Sequence, residues 1–240
     1  DGFRLPGKRL IVDTIGWLVI GTNRYRHLAY RCLETIRANY NGALASRFVL
    51  FTDQPRECPH PWVDTIRVRH EPFPGISLQR YRHFHRNAER LAASTYLFYV
   101  DADMEFVDVG DEILGKRVVV THPAFVNTPA VECPFDRNPH CRAAIPMDHQ
   151  GPYFQNCFQG GERGEFLRMS SRLARRIRAD VRDGVMALWH DESHMNRYML
   201  EHPPTRMLHP GYAFPDWWQG FPYPRRIIGV KKSNQELRAD

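Results

Sequence analysis

Long hydrophobic runs are missing from this 240-residue chain. Its longest apolar stretch, around residues 15–20, is far shorter than the roughly 20 residues that a membrane-spanning helix needs. We therefore do not expect this segment to associate with a membrane. Because residue 1 is Asp rather than Met, an anchor or stem upstream of it is an open alternative.

Cysteine is scarce and irregularly spaced. There are five cysteines, an odd number, and no Cys-x-x-Cys pair occurs among them. That pattern argues against a disulfide framework and against a structural zinc site. A reducing cytoplasm is the simplest compartment for such a chain, unless an upstream anchor directs it elsewhere.

Signatures of two other functional classes are also missing. No Gly-x-Gly-x-x-Gly follows the first apolar run, which argues against a nicotinamide oxidoreductase with a dinucleotide-binding glycine turn. The net charge is +6, and 29 of the 33 basic residues are arginines, which bind phosphate groups well. No zinc finger, arginine–aromatic repeat or glycine-rich RNA motif accompanies this charge, so we expect no nucleic-acid partner.

Apolar runs alternate with amphipathic segments along the first half of the chain. The predicted strands are residues 15–22, 47–53, 65–69 and 96–100, and the predicted helices are residues 25–39 and 77–94. Ser77 is the expected N-cap of the second helix. This alternation predicts an α/β fold with a mainly parallel sheet flanked by helices.

The second half of the chain is less regular. It is predicted to contain a strand at 117–121, a long loop at 122–150, a strand at 153–161 closed by a double-glycine turn, a helix at 163–183 and a last helix ending near Leu200. The loop is rich in Pro, Asn, Asp and His. A loop of that length in a compact domain usually serves as a lid or binding loop.

The most informative feature is a strand that ends in two acids. Residues 96–100 are apolar and aromatic, and Asp101 and Asp103 follow directly, one residue apart. Because the carboxyl end of a buried strand opens onto a crevice, both acids would be presented there. Paired carboxylates suit a hard divalent cation that partners a diphosphate, which indicates a nucleotide-sugar enzyme. A helix cap or solvated turn is the alternative interpretation.

A second polar cluster is the segment Trp189-His-Asp-Glu-Ser-His194. His190 and His194 are four residues apart and would share a helix face, so a zinc site and a metallohydrolase are one interpretation. The zinc-protease motif needs Glu after the first His, however, and that position is Asp191. Two neighbouring acids at a helix start either cap backbone N–H groups or place a carboxylate beside the anomeric carbon of a sugar.

Taken together, these segments resemble one family of enzymes. Trp189-His-Asp-Glu-Ser-His-Met-Asn-Arg-Tyr198, preceded by Asp101-Ala-Asp103, is similar to motifs of the family 6 retaining glycosyltransferases, which include the ABO blood-group transferases and α-1,3-galactosyltransferase. The further similar segments are Ile20-Gly-Thr-Asn-Arg-Tyr25, Ile76-Ser-Leu-Gln-Arg80, Tyr153-Phe-Gln-Asn-Cys-Phe-Gln-Gly-Gly161 and Pro204-Thr-Arg-Met-Leu-His-Pro-Gly-Tyr212. The resemblance covers roughly residues 15–235.

The resemblance implies a GT-A glycosyltransferase fold and roles for individual residues. Residues implied to bind the UDP-sugar donor are Ile20, Thr22, Tyr25, Arg80, Asp101, Ala102, Asp103, Gln155, Asn156, Cys157, Asp191, Lys231 and Lys232. Asp101 and Asp103 would bind Mn²⁺ (or Mg²⁺), which neutralises the diphosphate. Glu192 would lie by the anomeric carbon, either as nucleophile or as stabiliser of an oxocarbenium-like state in a same-face reaction. The residues implied to contact the glycan acceptor are His122, Tyr153, Trp189 and Glu192.

The sequence departs in three places from the pattern of the family that it resembles. Asp101 and Asp103 are both acids where many bacterial members have asparagines, so we predict metal dependence. The stretch that reads Gal against GalNAc in the family is Gln155-Asn-Cys157 here, unlike the mammalian forms, which leaves the donor open. Lys231 and Lys232 occupy a stretch where mammalian forms place a Trp and a Lys, and for them the resemblance implies only a phosphate contact.

The expected function is therefore a metal-dependent retaining transferase that moves Gal or GalNAc from a UDP-sugar to a galactoside and forms an α-1,3 linkage. We expect one catalytic domain over residues 1–240, with a nucleotide-binding half at about 10–110 and an acceptor and catalytic half at about 111–235. The alternative is an inactive sugar- or nucleotide-binding module on the same fold. The oligomeric state is left open.

Overall fold

The computed structural model describes residues 13–233 and Leu237. Within these residues the strands are β1 (Thr14–Ile20), β2 (Ala45–Thr52), β3 (Val63–Arg67), β4 (Tyr96–Val100), β5 (Met104–Phe106), β6 (Val118–Thr121), β7 (Phe154–Glu162), β8 (Arg206–Leu208), β9 (Phe214–Pro215) and β10 (Ile227–Gly229). The α-helices are α1 (Tyr25–Asn39), α2 (Gly75–Arg86), α3 (Arg163–Arg182) and α4 (His190–Glu201). The predicted α/β class is confirmed, and none of the described helices is long and apolar enough to span a membrane.

A seven-stranded sheet organises the fold, with strand order β3-β2-β1-β4-β7-β6-β8. The pairs β1–β2, β1–β4, β2–β3 and β6–β8 are parallel, while β7 runs antiparallel to both of its neighbours. The parallel order 3-2-1-4 places the carboxyl ends of these strands along one edge. Ligands of open α/β sheets bind at such an edge, where strand order changes direction, so the fold places a crevice just beyond β1 and β4.

Helices cover both faces of this sheet because alternate residues of its strands point to opposite sides. Trp17 and Val19 of β1 join a core that includes Leu33 of α1. Leu18 of the same strand joins a second core, which includes Phe84 of α2 together with apolar residues of α3 and α4. With both faces of its strands buried, the sheet forms a rigid platform on which the edge residues are held.

Two local predictions were wrong. The second helix begins at Gly75 and ends at Arg86, so Ser77 lies inside it, and the Pro74 cap position has no side-chain cap bond. The two glycines do not close a turn either, because both lie inside β7 and pair with β4. A Cβ on Gly160 would lie 2.4 Å from the Leu97 carbonyl oxygen, and Gly161 has a φ of +141°. Close backbone approach explains this glycine pair.

A small second sheet lies beyond β4, with strand order β5-β10-β9. The sequence patterns did not predict β9 or β10, which are two and three residues long and lie in a segment rich in Pro and Gly. The backbone N–H of Val230, just after β10, donates to the carbonyl of Asp103 at 2.9 Å. This pairing carries the C-terminal segment back to the edge of the main sheet. Most of the remaining tail, residues 234–236 and 238–240, lies outside the described residues.

Candidate active site

The two acids after β4 stand at the crevice edge of the main sheet. The backbone N–H of Asp101 donates to the Cys157 carbonyl at 2.8 Å, which fixes the end of β4 against β7. The Asp101 carboxylate accepts hydrogen bonds from the Tyr99 hydroxyl and from Arg80, whose Nη2 lies 3.1 Å from its Oδ1. Asp101 is therefore oriented by two donors, while part of its side chain stays open to solvent (31% exposed).

Asp103 lies beside Asp101 and has a different partner. The ammonium of Lys232 contacts its Oδ2 and also lies 5.3 Å from the centre of the Tyr25 ring. Burial and the nearby charge of Asp101 raise the pKa of Asp103, and Lys232 partly offsets this shift. Two neighbouring carboxylates, of which the more buried has a raised pKa, are an arrangement that a divalent cation would stabilise.

Arg80 of α2 joins the two acidic segments of the chain. Its Nη2 binds Asp101 at 3.1 Å, and its Nε lies 3.1 Å from Oδ2 of Asp191 in α4. The guanidinium also stacks on the Tyr99 ring at 4.3 Å and donates to the Asn156 carbonyl. Burial alone would lower the pKa of Arg80, but Asp191, Tyr99 and Asp101 raise it, so the group is a fixed cation.

The side-chain amide of Asn196 joins helix α4 to strand β7. Asn196 of α4 accepts from the backbone N–H of Phe154 and donates to its carbonyl, both at 2.9 Å. The same side chain donates to the carbonyl of Glu192 at 3.1 Å, so the first turn of α4 is tied directly to the strand. This contact places the acids of α4 beside the first residues of β7.

Glu192 is held at both carboxylate oxygens. The Tyr153 hydroxyl donates to Oε1 at 2.7 Å, and the backbone N–H of Asn156 donates to Oε2 at 3.0 Å. Burial raises the pKa of Glu192 to about 7, although both of these bonds act to lower it. The group is therefore a carboxylate poised near neutral pH, with a fixed orientation.

An irregularity in the pairing of β7 with β6 leaves the backbone N–H of Asn156 available to Glu192. Val118 and Val120 are two residues apart in β6, but their partners in β7, Gly160 and Gln155, are five apart. The extra residues of β7 interrupt its ladder with β6, and bulges of this kind are common beside active sites. The backbone N–H of Asn156 is thereby released from the sheet and can bind Glu192.

Asp191 is the more deeply buried acid of α4 (5% exposed). Its carboxylate accepts from the Asn156 side-chain amide at 2.7 Å and pairs with Arg80. Burial raises the pKa of Asp191 to about 6, Arg80 opposes that shift, and Asp101 adds to it. The Asn156 amide is oriented in turn by the Tyr81 hydroxyl, which donates to its oxygen at 3.0 Å.

Two adjoining clefts open at this edge of the sheet. The larger, of about 240 Å³, is lined by predicted donor residues, namely Ile20, Thr22, Tyr25, Arg80, Asp101, Ala102, Asp103 and Lys232. The smaller, of about 170 Å³, is lined by Arg80, Asp101, Gln155, Asn156, Cys157, Trp189, Asp191 and Glu192. Because Arg80 and Asp101 line both, the two clefts meet at the guanidinium. The structure thus brings together residues that are about ninety positions apart in the sequence.

Three predicted residues lie elsewhere. Tyr153 is buried (1% exposed), so it presents no apolar surface to an acceptor, and its contact with the site is the hydroxyl that orients Glu192. His122 packs against the Tyr153 ring at 5.6 Å, and burial lowers its pKa to about 4, so it is neutral at physiological pH. Lys231 is exposed and lines neither cleft. Trp189 is half exposed at the smaller cleft.

Sequence reasoning missed four residues of the site. Tyr99 and Tyr81 lie on apolar strand and helix patterns and looked like core residues, yet their hydroxyls orient Asp101 and Asn156. Gln159 is fully buried and donates to the Tyr81 hydroxyl at 2.7 Å. Phe73 is 43% exposed and lines both clefts. The polar residues Gln155, Asn156 and Gln159 within β7 were the available signal, because buried polar groups need partners.

The proposed histidine pair does not form one site. His190 lines the smaller cleft, and its φ of +49° reflects the sharp entry into α4. His194 is buried on the other side of the helix, where its Nε2 lies 3.4 Å from Asp180. The alternative zinc pairing of His190 with His194 is therefore not supported, because His190 lines the smaller cleft while His194 faces Asp180.

Fold and site together define a class of protein. An α/β sheet with paired acids at the crevice end of β4, next to a second acidic pair at the start of α4, is the architecture of a glycosyltransferase that uses a nucleotide-linked sugar. The chain belongs to glycosyltransferase family 6, whose family model matches residues 9–239. It is accordingly an enzyme of the hexosyltransferase class.

Several characterised proteins are similar to this chain. Histo-blood group ABO system transferase 2 of Rattus norvegicus is 30% identical over 252 residues, which cover 96% of this chain and 73% of that protein. Globoside alpha-1,3-N-acetylgalactosaminyltransferase 1 of Gallus gallus is 29% identical over 94% of this chain and 69% of its own length. Alpha-1,3-galactosyltransferase 2 of Homo sapiens is 26% identical over 84% of this chain and 62% of its own length.

Proposed function

We propose that this enzyme transfers Gal or GalNAc from a UDP-sugar to a galactoside acceptor, forming an α-1,3 linkage with retention of configuration. The observation that carries the proposal is the single guanidinium of Arg80, which contacts both Asp101 and Asp191 and so joins a diphosphate-sized cleft to a sugar-sized one. The names of the relatives support both donor sugars and the α-1,3 linkage.

The uridine end of the donor would occupy the larger cleft. The ring of Tyr25 offers a stacking surface there, and Thr22 is fixed by a 2.9 Å contact between its hydroxyl and Nδ1 of His70. Lys232 lies over Tyr25 and beside Asp103, where it would meet a phosphate. Because Lys231 is exposed and away from the clefts, we assign the phosphate contact to Lys232 alone.

Asp101 and Asp103 fit a divalent cation such as Mn²⁺ or Mg²⁺. Both carboxylates lie at the larger cleft, and burial, followed by the neighbouring charge of Asp101, raises the pKa of Asp103. A bound cation would supply charge neutralisation for the leaving diphosphate. Arg80 and Lys232 supply further positive charge at the same place from the protein itself.

Glu192 is the candidate for chemistry at the anomeric carbon. In the transfer, the bond from that carbon to the β-phosphate oxygen breaks, a bond to the acceptor hydroxyl oxygen forms on the same face, and the hydroxyl proton passes to the departing UDP phosphate. The Glu192 carboxylate, fixed by Tyr153 and Asn156, would either form a glycosyl intermediate or stabilise developing positive charge. Asp191, fixed by Arg80 and Asn156, would hold the sugar hydroxyls.

A screen of donors and acceptors tests this assignment. Purified protein is incubated with UDP-Gal or UDP-GalNAc and with lactose or fucosylated lactose, and the release of UDP and the linkage of the product are measured. We expect acceptor-dependent UDP release and an α-1,3-linked product. Tight UDP binding without turnover for any pair would instead indicate the inactive binding module.

Replacing either acid after β4 should remove the metal response. We expect Asp101→Asn and Asp103→Asn each to lose at least ~10²-fold in kcat/KM in saturating Mn²⁺, because a carboxylate ligand is replaced by a weaker neutral one. The wild type should lose activity in EDTA and regain it with Mn²⁺. Asp108→Asn, on the exposed pair with Arg226, is the matched control and should leave kcat unchanged. Full turnover of the wild type in EDTA would contradict the prediction.

Activity should fall as pH drops through about 7. Because the proposed role of Glu192 needs its ionised form, kcat/KM should follow the fraction of carboxylate, with an acid limb near its pKa of about 7. Tyr153→Phe removes a hydrogen bond that lowers this pKa, so the limb should move to higher pH. An acid limb near pH 4.5, or one that Tyr153→Phe does not move, would show that Glu192 is not the titrating group.

A further inference from the structure

A second cluster of metal-binding side chains lies away from the clefts. Cys141 of the long loop, Asp180 of α3 and His194 of α4 place one ligand atom each within 4.8 Å of one another. All three residues are buried, with exposures of 4%, 1% and 1%. None of them lines either cleft, so the cluster is separate from the acids that face the donor.

Two of the three spacings between these atoms match a small tetrahedral cation, and the third lies within 4.8 Å. The Sγ of Cys141 and the Nε2 of His194 each lie 3.4 Å from Oδ2 of Asp180. Zinc bonds of about 2.0–2.3 Å, at tetrahedral angles, place neighbouring ligand atoms about 3.3–3.7 Å apart. A thiolate, an imidazole and a carboxylate are also ligands that suit zinc.

The surrounding residues orient these ligands as they do in metal sites. Arg142 binds Oδ1 of Asp180 at 2.6 Å, and its backbone N–H binds Oδ2 at 2.9 Å. The backbone N–H of Ala143 points at the Cys141 sulfur at 3.4 Å. Hydrogen bonds of this kind to ligating groups fix the orientation of the ligands. Asp136, which is also close, is already bound to the backbone N–H groups of Asn138 and Leu188.

His194 contributes its ligand atom from a buried ring. It is 1% exposed, and its Nε2 is the nitrogen that faces Oδ2 of Asp180. Burial lowers the pKa of His194 to about 4, so the ring is neutral and Nε2 or Nδ1 carries a free lone pair. A neutral buried imidazole that faces a thiol and a carboxylate is in the form that binds a metal ion.

We infer that Cys141, Asp180 and His194 form a structural zinc site that fastens the long loop to helices α3 and α4. A water would complete the four-coordinate shell. Without metal, burial raises the pKa of the Cys141 thiol to about 12, so the thiol is protonated. On binding, the S–H bond breaks, the proton leaves to solvent and a sulfur–zinc bond forms.

The site would connect three separate parts of the chain at one point. His194 lies two residues after Glu192 in α4, and Cys141 is in the loop whose residues pack under Tyr153. Zinc at this position would therefore stiffen the helix that carries the catalytic acids and the loop that supports the tyrosine. Removing it should lower thermal stability and loosen this loop, without removing any group from the clefts.

Cobalt substitution tests the site directly. The purified full chain is stripped with a chelator, titrated with Co²⁺ and followed by absorption in the near ultraviolet, where only a thiolate ligand gives an intense charge-transfer band. We expect one equivalent of Co²⁺ to develop the band and Zn²⁺ to remove it. Cys141→Ser should abolish the band, whereas Cys133→Ser should keep it, because Cys133 is a buried cysteine of the same loop whose thiol donates to the Thr128 carbonyl and which packs in a different cluster.

Two further measurements separate this site from the acids after β4. Asp103→Asn should keep the cobalt band and should still bind one Zn²⁺ per chain, because its carboxylate belongs to the other site. Zn²⁺ should raise the Tm of the wild type and of Asp103→Asn by several degrees, but it should not change the Tm of Cys141→Ser. No thiolate–cobalt band in folded wild-type protein, or zinc binding that Asp103→Asn removes and Cys141→Ser retains, would overturn the inference.

Discussion

Glu192→Gln is expected to reduce kcat by at least ~10²-fold while UDP binding stays within about twofold of the wild type, because a positioned catalytic group contributes on this scale. The variant should fold, since its amide oxygen can accept from the Asn156 N–H, and its NH₂ can donate to the Tyr153 hydroxyl, which also accepts. The loss should therefore reflect missing negative charge at the anomeric carbon. Turnover and UDP affinity are measured separately, by product formation and by calorimetry.

The thermal stability of the same variant, relative to that of the wild type, should increase as pH rises. The folded state holds Glu192 at a pKa of about 7, above its unfolded value of 4.5, so folding binds a proton between these two values. The cost of burying the charge is absent below the lower value and complete above the higher one. We therefore expect the Tm of Glu192→Gln to exceed that of the wild type at pH 8 and to match it at pH 4. Near-wild-type turnover would exclude a catalytic role, whatever the stability.

The regular part of the fold could be predicted because its patterns are long. Helix α1 repeats an apolar stripe over four turns, and the predicted and observed bounds agree at Tyr25–Asn39. Strand β4 was predicted at residues 96–100 and observed at Tyr96–Val100. Strands β9 and β10 are too short to carry a period of two, so tertiary pairing alone creates them.

The candidate site was predictable only where the residue type and its position in the sequence together indicate a chemical role. Acids directly after a buried strand, or at a helix start, stand out in a sequence, and the structure places Asp101 and Asp191 on one guanidinium. The bulge in β7 left no such trace, because it depends on how two strands pair. The cysteine spacings also gave no indication of the zinc site that we infer. Cys141 and His194 come from distant segments, and only the fold brings them together.

Arg80→Met is expected to have the largest effect on stability. The guanidinium is buried between Asp191 and Asp101, and its removal leaves two carboxylates facing each other without a counter-charge. Breaking a buried ion pair by removing one partner typically costs about 3–5 kcal/mol, so we expect a loss of that size in the free energy of unfolding at pH 8. The loss should shrink at pH 5, because burial raises the pKa of Asp191 to about 6 and this acid can then take up a proton. Urea unfolding at both pH values measures it.

A second substitution should separate the charge effect from lost packing. If repulsion between the acids is the main cost, adding Asp191→Asn to Arg80→Met should restore a large part of the stability but none of the activity, since both groups face the smaller cleft. Arg82→Met is the matched control on the same helix, where Arg82 donates a hydrogen bond to Gln79, and it should cost less than about 1 kcal/mol. Equal losses for the single and double variants would mean that Arg80 acts through packing. In that case the proposed electrostatic link between the two acidic segments would fail.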